Sequence, residues 1–219
     1  MLYFLSSLHR SGSTLLASLL NQRPDVYASP TSNLCATMGA AAQTWEQNPT
    51  TKACGGEEDD IIRILRAIKN ARYDTDKLVF DKSRSWVAPQ IIKTMMKVQG
   101  DVKIVATVRP VAECLASFAK LIKPENITDF CKRDQLAENL FNTYEIMKAG
   151  YEEYPNNFLF IEYDDLVSDP QVELNRIAEF VEIDSFVYDF NNIKDSEEID
   201  EIWGIENLHK VRPRVSQRK

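Results

Sequence analysis

Short apolar runs alternate with longer amphipathic stretches along most of the chain. The apolar runs predict buried strands at 2–8, 26–28, 78–80, 102–108 and 157–163. Between these runs, apolar residues recur at the spacing of one face of a helix. The predicted helices cover residues 13–21, 33–45, 57–72, 89–98, 111–122, 134–154 and 170–181. A loop is expected at 47–56, where Asn, Pro, Thr and Gly collect.

Strands that alternate with helices are typical of a parallel sheet covered on both faces. We therefore predict an α/β fold: a three-layer sandwich whose central parallel sheet has four or five strands flanked by helices. A chain of 219 residues can bury a large core, so we expect residues 1–219 to form a single domain. In such sheets, ligands bind at the carboxyl ends of the strands.

The loop after the first predicted strand has the composition of an anion-binding loop. It reads Arg10-Ser11-Gly12-Ser13-Thr14-Leu15. A loop of this kind between a strand and a helix presents backbone N–H groups and the helix N-terminus to an anion. The ATP-binding pattern G-x-x-x-x-G-K-[ST] is not met, because Ser7 replaces its first Gly and Ser13 replaces its Lys. Arg10 offers a forked donor for a phosphate or a sulfonate instead.

Further cations follow other predicted strands. Lys82 stands after Asp81, and Arg109 stands before Pro110. The protein as a whole is acidic, with a net charge of −7 and a pI of about 5.0, which argues against a general nucleic-acid binder. Cations gathered at one edge of the sheet of an acidic protein indicate a small polyanionic ligand.

The end of the sequence is divided into two charge blocks. All charged side chains between 195 and 206 are acidic, and all those between 210 and 219 are basic. Such blocks are usually solvated. The basic block, together with His209, is also suited to close over a phosphate of the bound ligand, so both interpretations of 195–219 stay open.

Cysteine and histidine usage predicts neither disulfides nor a metal site. The four cysteines form no C-x-x-C pair, and the chain has only two histidines. Free thiols are typical of a reducing compartment. The apolar start of the chain is too short to cross a membrane. We therefore expect a cytoplasmic protein with no metal, no membrane partner and no nucleic-acid partner.

Four segments together resemble the sulfotransferases that use 3′-phosphoadenosine 5′-phosphosulfate (PAPS). Arg10–Leu16 resembles their 5′-phosphosulfate loop, and Arg109-Pro110 with Ser117 resembles their 3′-phosphate motif. The segment from Glu162 to Pro170 resembles a later motif whose Tyr lies against the nucleotide, and Asp81-Lys82-Ser83 resembles the strand-end Lys beside the transferred group. The matches cover about residues 1–182. The likeness is closer to the tyrosylprotein, carbohydrate and bacterial branch than to cytosolic phenol sulfotransferases, which carry Lys at the position of Arg10.

This resemblance implies an α/β fold of the P-loop nucleoside-triphosphate-hydrolase type. It also implies an enzyme that moves a sulfuryl group from PAPS to a hydroxyl or amine acceptor in line. It would release 3′-phosphoadenosine 5′-phosphate (PAP), and the acceptor would be a small molecule, a carbohydrate or a peptide. Lys82 and Arg10 are the expected catalytic residues. The expected cofactor-binding residues are Arg10, Ser11, Gly12, Ser13, Thr14, Leu15, Arg109, Ser117, Tyr163, His209, Lys210 and Arg212.

The base that would accept the proton of the acceptor is absent from both positions known in the family. The uncharged stretch 27–33 replaces the Glu of the tyrosine branch, and Arg84 stands near the His of the cytosolic enzymes. The remaining candidates are Asp81, His209, Glu46 and Glu57. Two other functions therefore stay open: an ATP-dependent small-molecule kinase with Asp81 orienting Mg²⁺, and a nucleotide-binding protein without catalysis.

Overall fold

The computed structural model describes residues 2–195 and 200–215. Its sheet has five strands in the order β2-β3-β1-β4-β5, and every neighbouring pair is parallel. The strands are β1 (Leu2–Ser7), β2 (Val26–Ala28), β3 (Leu78–Lys82), β4 (Ile104–Val108) and β5 (Phe158–Glu162). The predicted α/β architecture with a parallel sheet of four or five strands is thus confirmed.

The helices occupy the connections between the strands, as a parallel sheet requires. They are α1 (Ser13–Leu20), α2 (Leu34–Gln47), α3 (Pro49–Ala53), α4 (Glu58–Arg72), α5 (Pro89–Gln99), α6 (Val111–Ile122), α7 (Ile127–Arg133), α8 (Gln135–Glu153), α9 (Tyr163–Ser168) and α10 (Pro170–Phe180). Short 3₁₀ turns lie at Arg84–Val87, Pro155–Asn157 and Asp200–Trp203. Within the described ranges, no helix combines the length and the apolarity needed to span a bilayer.

Alternate residues of β1 face opposite sides of the sheet, and both sides are apolar. Leu2 and Phe4 pack on one side against α2, α4, α5, α6 and α8. Tyr3 and Leu5 pack on the other side against α1, α9 and α10. Because the central strand is buried on both faces, it reads as a continuous apolar run and not as an alternating one.

The register of the strands brings the predicted site to one edge. β1 lies between β3 and β4, with Leu5 opposite Lys82 and Ser7 opposite Thr107. All strands run the same way, so the loop after β1, the end of β3 and the residues after β4 meet at the carboxyl edge of the sheet. Arg109 follows β4 directly.

The structure differs from the sequence prediction mainly in short helices. The expected loop at 47–56 contains α3, and α7 and α9 were not predicted. Asn48 and Asn126 cap α3 and α7, since each side-chain oxygen accepts a hydrogen bond from the backbone N–H two residues later. Asparagine is favoured at helix starts, but helices of five and seven residues have too few turns to show a period.

Candidate active site

A cleft of about 1260 Å³ lies at the carboxyl edge of the sheet. It is walled by the loop after β1, the end of β3, residues 113–120 of α6, Tyr163 of α9 and the C-terminal segment. Of the expected site residues, it brings together Arg10, Gly12, Ser13, Thr14, Leu15, Lys82, Arg109, Ser117, Tyr163, His209, Lys210 and Arg212. Ser11 is the exception, because its side chain lies in the interior.

Ser11 fastens the loop to the sheet. It is fully buried, and its Oγ lies 2.6 Å from the carbonyl oxygen of Leu8 and 2.8 Å from that of Thr107. The hydroxyl oxygens of Ser11 and Thr107 are 2.9 Å apart. The hydroxyl of Ser11 is therefore hydrogen-bonded to β4 and to the loop itself. The side chain thus fixes the loop from its interior side.

Gly12 is required by the shape of the loop. It caps α1 with a φ of 91°, and Arg10 also has a positive φ of 62°. A Cβ atom at position 12 would lie 2.7 Å from Cδ2 of Tyr163. The close approach of an aromatic ring and the left-handed backbone both exclude a side chain here. The loop, with its turn into α1, is thus packed directly under Tyr163.

Lys82 reaches the anion-binding loop from the neighbouring strand. Its side chain is 8% exposed, and its Nζ donates a hydrogen bond of 3.2 Å to Oγ1 of Thr14. Its backbone N–H donates to Oγ of Ser29 at 2.8 Å. Successive side chains of a strand point to opposite faces, so Lys82 shares the α1 face of the sheet with Phe80. The ammonium group of Lys82 therefore lies at the loop after β1.

Asp81 points to the other face and is held in the interior. Its carboxylate is fully buried and accepts hydrogen bonds from Oγ of Ser32 (2.5 Å), the hydroxyl of Tyr73 (2.6 Å) and Nε1 of Trp86 (2.7 Å). Burial, followed by the charge of Asp81, raises the pKa of Tyr73 to about 12, so its phenol stays a donor. Asp81 is a structural carboxylate in this arrangement.

Arg109 is held from three sides. Its Nε and Nη2 donate to Oε2 of Glu113 at 3.1 and 3.0 Å, and its Nη1 donates to the carbonyl oxygen of Arg10 at 3.2 Å. The guanidinium carbon lies 4.5 Å from the ring centroid of Tyr163. The residue is 6% exposed, so the orientation of its fork is fixed before any ligand arrives.

Arg10 lies beside this second cation. Its Nε donates to Oγ of Ser117 at 3.2 Å, and its Nη1 donates to the carbonyl oxygen of Leu208. Burial, and after it the charge of Arg109, lowers the pKa of Arg10. The sequence assigned Arg10 to the 5′ group and Ser117 to the 3′-phosphate, whereas the structure brings these two side chains together.

The C-terminal segment forms one wall of the cleft. Val211 is buried against the α1 side of the sheet. The backbone N–H of Ile193 donates to the carbonyl oxygen of Pro213 at 2.9 Å, and that of Val215 donates to Phe190 at 3.0 Å. Residues 205–215 are therefore tied to the body of the protein, and Lys210 and Arg212 line the cleft. The parts of the charge blocks at 196–199 and 216–219 lie outside the described residues.

Asp200 orients the histidine of this segment. Its carboxylate accepts from the backbone N–H of His209 at 3.1 Å and lies 2.7 Å from Nδ1 of the same ring. Burial opposes ionisation of Asp200, but the hydrogen bonds from His209 outweigh it and lower the pKa of the carboxyl group.

Several residues of the site were not predicted from the sequence. Glu113 stands one helical turn after Arg109, and this i, i+4 spacing was the signal that could have paired them. The sequence gives no sign that the Leu208 carbonyl oxygen or the Thr107 hydroxyl belongs to the site. These contacts span 198 and 96 residues, and a local sequence pattern does not predict contacts over such separations.

The candidates for the catalytic base differ in whether they line the cleft. Asp81 is buried as described, and Glu46 and Glu57 are exposed and not among the lining residues. Among the described lining residues, the histidine and carboxylate side chains are those of His9, Glu113 and His209. In the same part of the chain, no three His, Cys, Asp or Glu side chains are grouped to hold a metal ion. A metal-free reaction stays a prediction.

The fold and the cleft define a P-loop-type α/β protein whose cleft, at the carboxyl edge of its sheet, is lined by Arg and Lys side chains. A model of the sulfotransferase family matches residues 3–187, and the chain belongs to this family. It is accordingly an enzyme of sulfuryl transfer. None of the curated proteins compared with it matches the chain.

Solved structures of bacterial sulfotransferases share the fold. The sulfotransferase domain of the Synechococcus PCC 7002 olefin synthase is 25% identical over 84% of this chain and 73% of that domain, with a TM-score of 0.55. A sulfotransferase from Alicyclobacillus acidocaldarius is 15% identical, with coverage of 85% and 83% and a TM-score of 0.58. One from Mycobacterium tuberculosis is 19% identical, with coverage of 83% and 67% and a TM-score of 0.52.

Proposed function

We propose that the sulfuryl donor of this enzyme is PAPS and that the product is PAP. The observation that carries the proposal is a second group of cationic side chains apart from the Lys82–Thr14 pair. Two guanidinium groups, those of Arg10 and Arg109, meet beside Ser117, and Glu113 is the sole carboxylate among the described residues that line the cleft. Two cations beside one lining carboxylate leave a net positive charge, which favours an anionic ligand.

The two sites match the two anionic ends of PAPS. The loop amides, Thr14 and Lys82 would hold the 5′-phosphosulfate. Arg109 and Ser117 would hold the 3′-phosphate, with Lys210 and Arg212 closing from the C-terminal segment. We add Arg10 to this second group, since its side chain already touches Ser117. Tyr163 would lie between Gly12 and the nucleotide.

The reaction needs little covalent chemistry from the protein. The acceptor oxygen, or the nitrogen of an amine, forms a bond to sulfur while the bond from sulfur to the bridging oxygen of the 5′-phosphate breaks. The products are PAP, one proton and the sulfate ester of a hydroxyl acceptor or the sulfamate of an amine. Charge grows on the bridging oxygen, and we assign its stabilisation to the ammonium group of Lys82. The acceptor would be a hydroxyl or an amine of a small molecule, a carbohydrate or a peptide.

Calorimetry with PAP and with ATP–Mg²⁺ tests the donor. We expect PAP to bind in the micromolar range or tighter and ATP–Mg²⁺ to bind far more weakly, because Ser13 replaces the lysine that reaches the β- and γ-phosphates. Tight ATP–Mg²⁺ binding without PAP binding would contradict the proposal and support a kinase. Transfer from labelled PAPS to an acceptor library then separates an enzyme that uses PAPS from a protein that only binds it.

Arg109→Gln tests the 3′-phosphate assignment. We expect the variant to lose about tenfold or more in affinity for PAP and little in affinity for adenosine 5′-phosphate, because only PAP carries the 3′ group. Because Arg10 would bind the same phosphate, we expect the affinity for PAP to be weakened and not abolished. The exposed Arg63, in α4, provides a matched control as Arg63→Gln. Equal losses for the two nucleotides would remove Arg109 from the 3′-phosphate site.

We further propose that the enzyme is a single domain that includes 195–219 and works in the cytoplasm. The hydrogen bonds from residues 193 and 215 and the burial of Val211 support the first point. All four cysteines are free thiols, which is typical of a reducing compartment and supports the second.

A further inference from the structure

His9 is a residue of the cleft whose chemistry the reaction above leaves unused. It follows β1 and directly precedes Arg10, and its ring centroid lies 5.8 Å from that of Phe118 on α6. Its Nδ1 is shut off from solvent and has no hydrogen-bond partner among the described residues. A buried polar atom without a partner is uncommon in folded proteins. Here it restricts which protonation state and which tautomer the ring can adopt.

The imidazole of His9 is neutral throughout the physiological pH range. Burial first, and then the nearby positive charge of Arg84, lowers its pKa to about 3. The α6 side presents the apolar ring of Phe118, which offers no negative charge to offset this effect. A charged ring would also carry a second N–H in the sealed position, where the described residues offer no acceptor.

A neutral ring carries its proton on one of two nitrogens. A proton on Nδ1 would be an orphaned buried donor, which is rarer in proteins than an unsatisfied buried acceptor. The proton therefore belongs on Nε2. Because Nδ1 is sealed while the residue lines the cleft, the edge of the ring that carries Nε2 is the one a ligand can meet.

His9 lines the cleft beside groups expected around the sulfuryl group. It adjoins Arg10 at the start of the anion-binding loop. Arg84, two residues after Lys82, also lines the cleft, and its charge acts on the ring of His9. Arg84 lies in the 3₁₀ turn that Ser6 ties to β1 through a hydrogen bond of 3.2 Å to the Arg84 carbonyl oxygen. The ammonium group of Lys82 reaches the same loop at Thr14.

We propose, on the basis of the function proposed above, that His9 is a catalytic residue whose neutral Nε2–H donates a hydrogen bond to an oxygen of the sulfuryl group. Such a donor stabilises the sulfuryl oxygens during transfer and adds no charge to a site already rich in cations. It also cannot titrate between pH 5 and 8, so its contribution is constant over that range. The role differs from that of a base, which would have to take up a proton.

The state of the ring is tested without any ligand. In ¹⁵N spectra of the full chain, we expect His9 to show the Nε2–H tautomer and no titration between pH 5 and 8. The second histidine, His209, is assigned by comparison with His209→Gln. A ring of His9 that carries its proton on Nδ1, or that titrates near the ordinary value of 6.5, would overturn the proposal.

The contact with the sulfuryl group is tested by three variants. The side-chain amide nitrogen of Gln can occupy the place of Nε2, that of Asn can occupy the place of Nδ1, and Phe keeps the ring without a donor. We expect His9→Gln to retain the affinity for PAPS, measured without acceptor. His9→Asn and His9→Phe should lose about tenfold in affinity for PAPS and in turnover, with PAP binding unchanged.

The outcomes separate this role from the function on which it rests. If the wild-type protein does not bind PAP, the donor assignment fails and the sulfuryl contact fails with it. If PAP binds and His9→Phe keeps the wild-type affinity for PAPS, the donor assignment stands and the role of His9 falls. Thermal unfolding of each variant checks that the loss is one of contact and not of folding.

Discussion

Lys82→Met should lower kcat by about 100-fold while leaving the affinity for PAP close to that of the wild type. Methionine keeps the length and the apolar stem of the side chain, which is 8% exposed, so the packing against α1 is preserved. What is lost is the ammonium group that reaches Thr14 at 3.2 Å. A group that acts on charge developing in the transition state affects turnover more than ground-state binding.

Labelled PAPS and calorimetry with PAP give the two quantities needed for this comparison. Lys148→Met is a matched control, because Lys148 lies on α8, is 54% exposed and pairs only loosely with Glu152 at 3.9 Å. It should change neither kcat nor affinity. Unchanged turnover in Lys82→Met would remove Lys82 from the chemistry, and an equal loss of PAP affinity would make it a binding residue.

Gly150→Ala should destabilise the protein by about 3 kcal/mol. Gly150 lies in α8, where it packs against the 3₁₀ turn that follows β3. A Cβ atom at this position would lie 1.9 Å from the carbonyl oxygen of Val87 and 3.4 Å from Cζ of Phe158. A backbone carbonyl cannot rotate away as a long side chain can, so α8 or the turn must move.

Gly39→Ala, also inside a helix, should change the free energy of unfolding in the opposite direction. Gly39 lies inside α2, and nothing lies within 4 Å of the Cβ that alanine would add. Since alanine is the better helix former, this variant should gain about 0.5–1 kcal/mol. Chemical denaturation at 25 °C measures both changes. Similar free energies of unfolding for the two variants would show that the approach of α8 to Val87 is looser than described.

The sheet and its ligand edge could be predicted because they depend on local pattern. Continuous apolar runs located the strands, and strand–loop–helix alternation required them to be parallel. That topology alone places the Arg10 loop, Lys82 and Arg109 at one edge. The short helices α3 and α7 were not predicted, because each has at most two turns, although each begins at a capping asparagine.

The details of the site could not be predicted because they depend on side-chain direction and on distant contacts. Asp81 and Lys82 are neighbours in sequence, yet strand geometry sends one into the interior and the other to the anion-binding loop. Arg10 was expected at the 5′ group, but it extends to Ser117 and Leu208. Neither rotamers nor partners about 100 and 200 residues away are encoded in a local motif.

The contact between Arg10 and Leu208 has a consequence for synthesis of the protein. The two residues are separated by 198 positions, and the anion-binding loop leaves the ribosome long before its carbonyl partner does. All strand partners have emerged once β5 is made, because the last pairing joins β4 to residues 158–162. Tyr188, Ile193 and Val211 of the core on the α1 side follow later, and the C-terminal wall of the cleft comes with them. The sheet can therefore pair its strands before the cleft is complete.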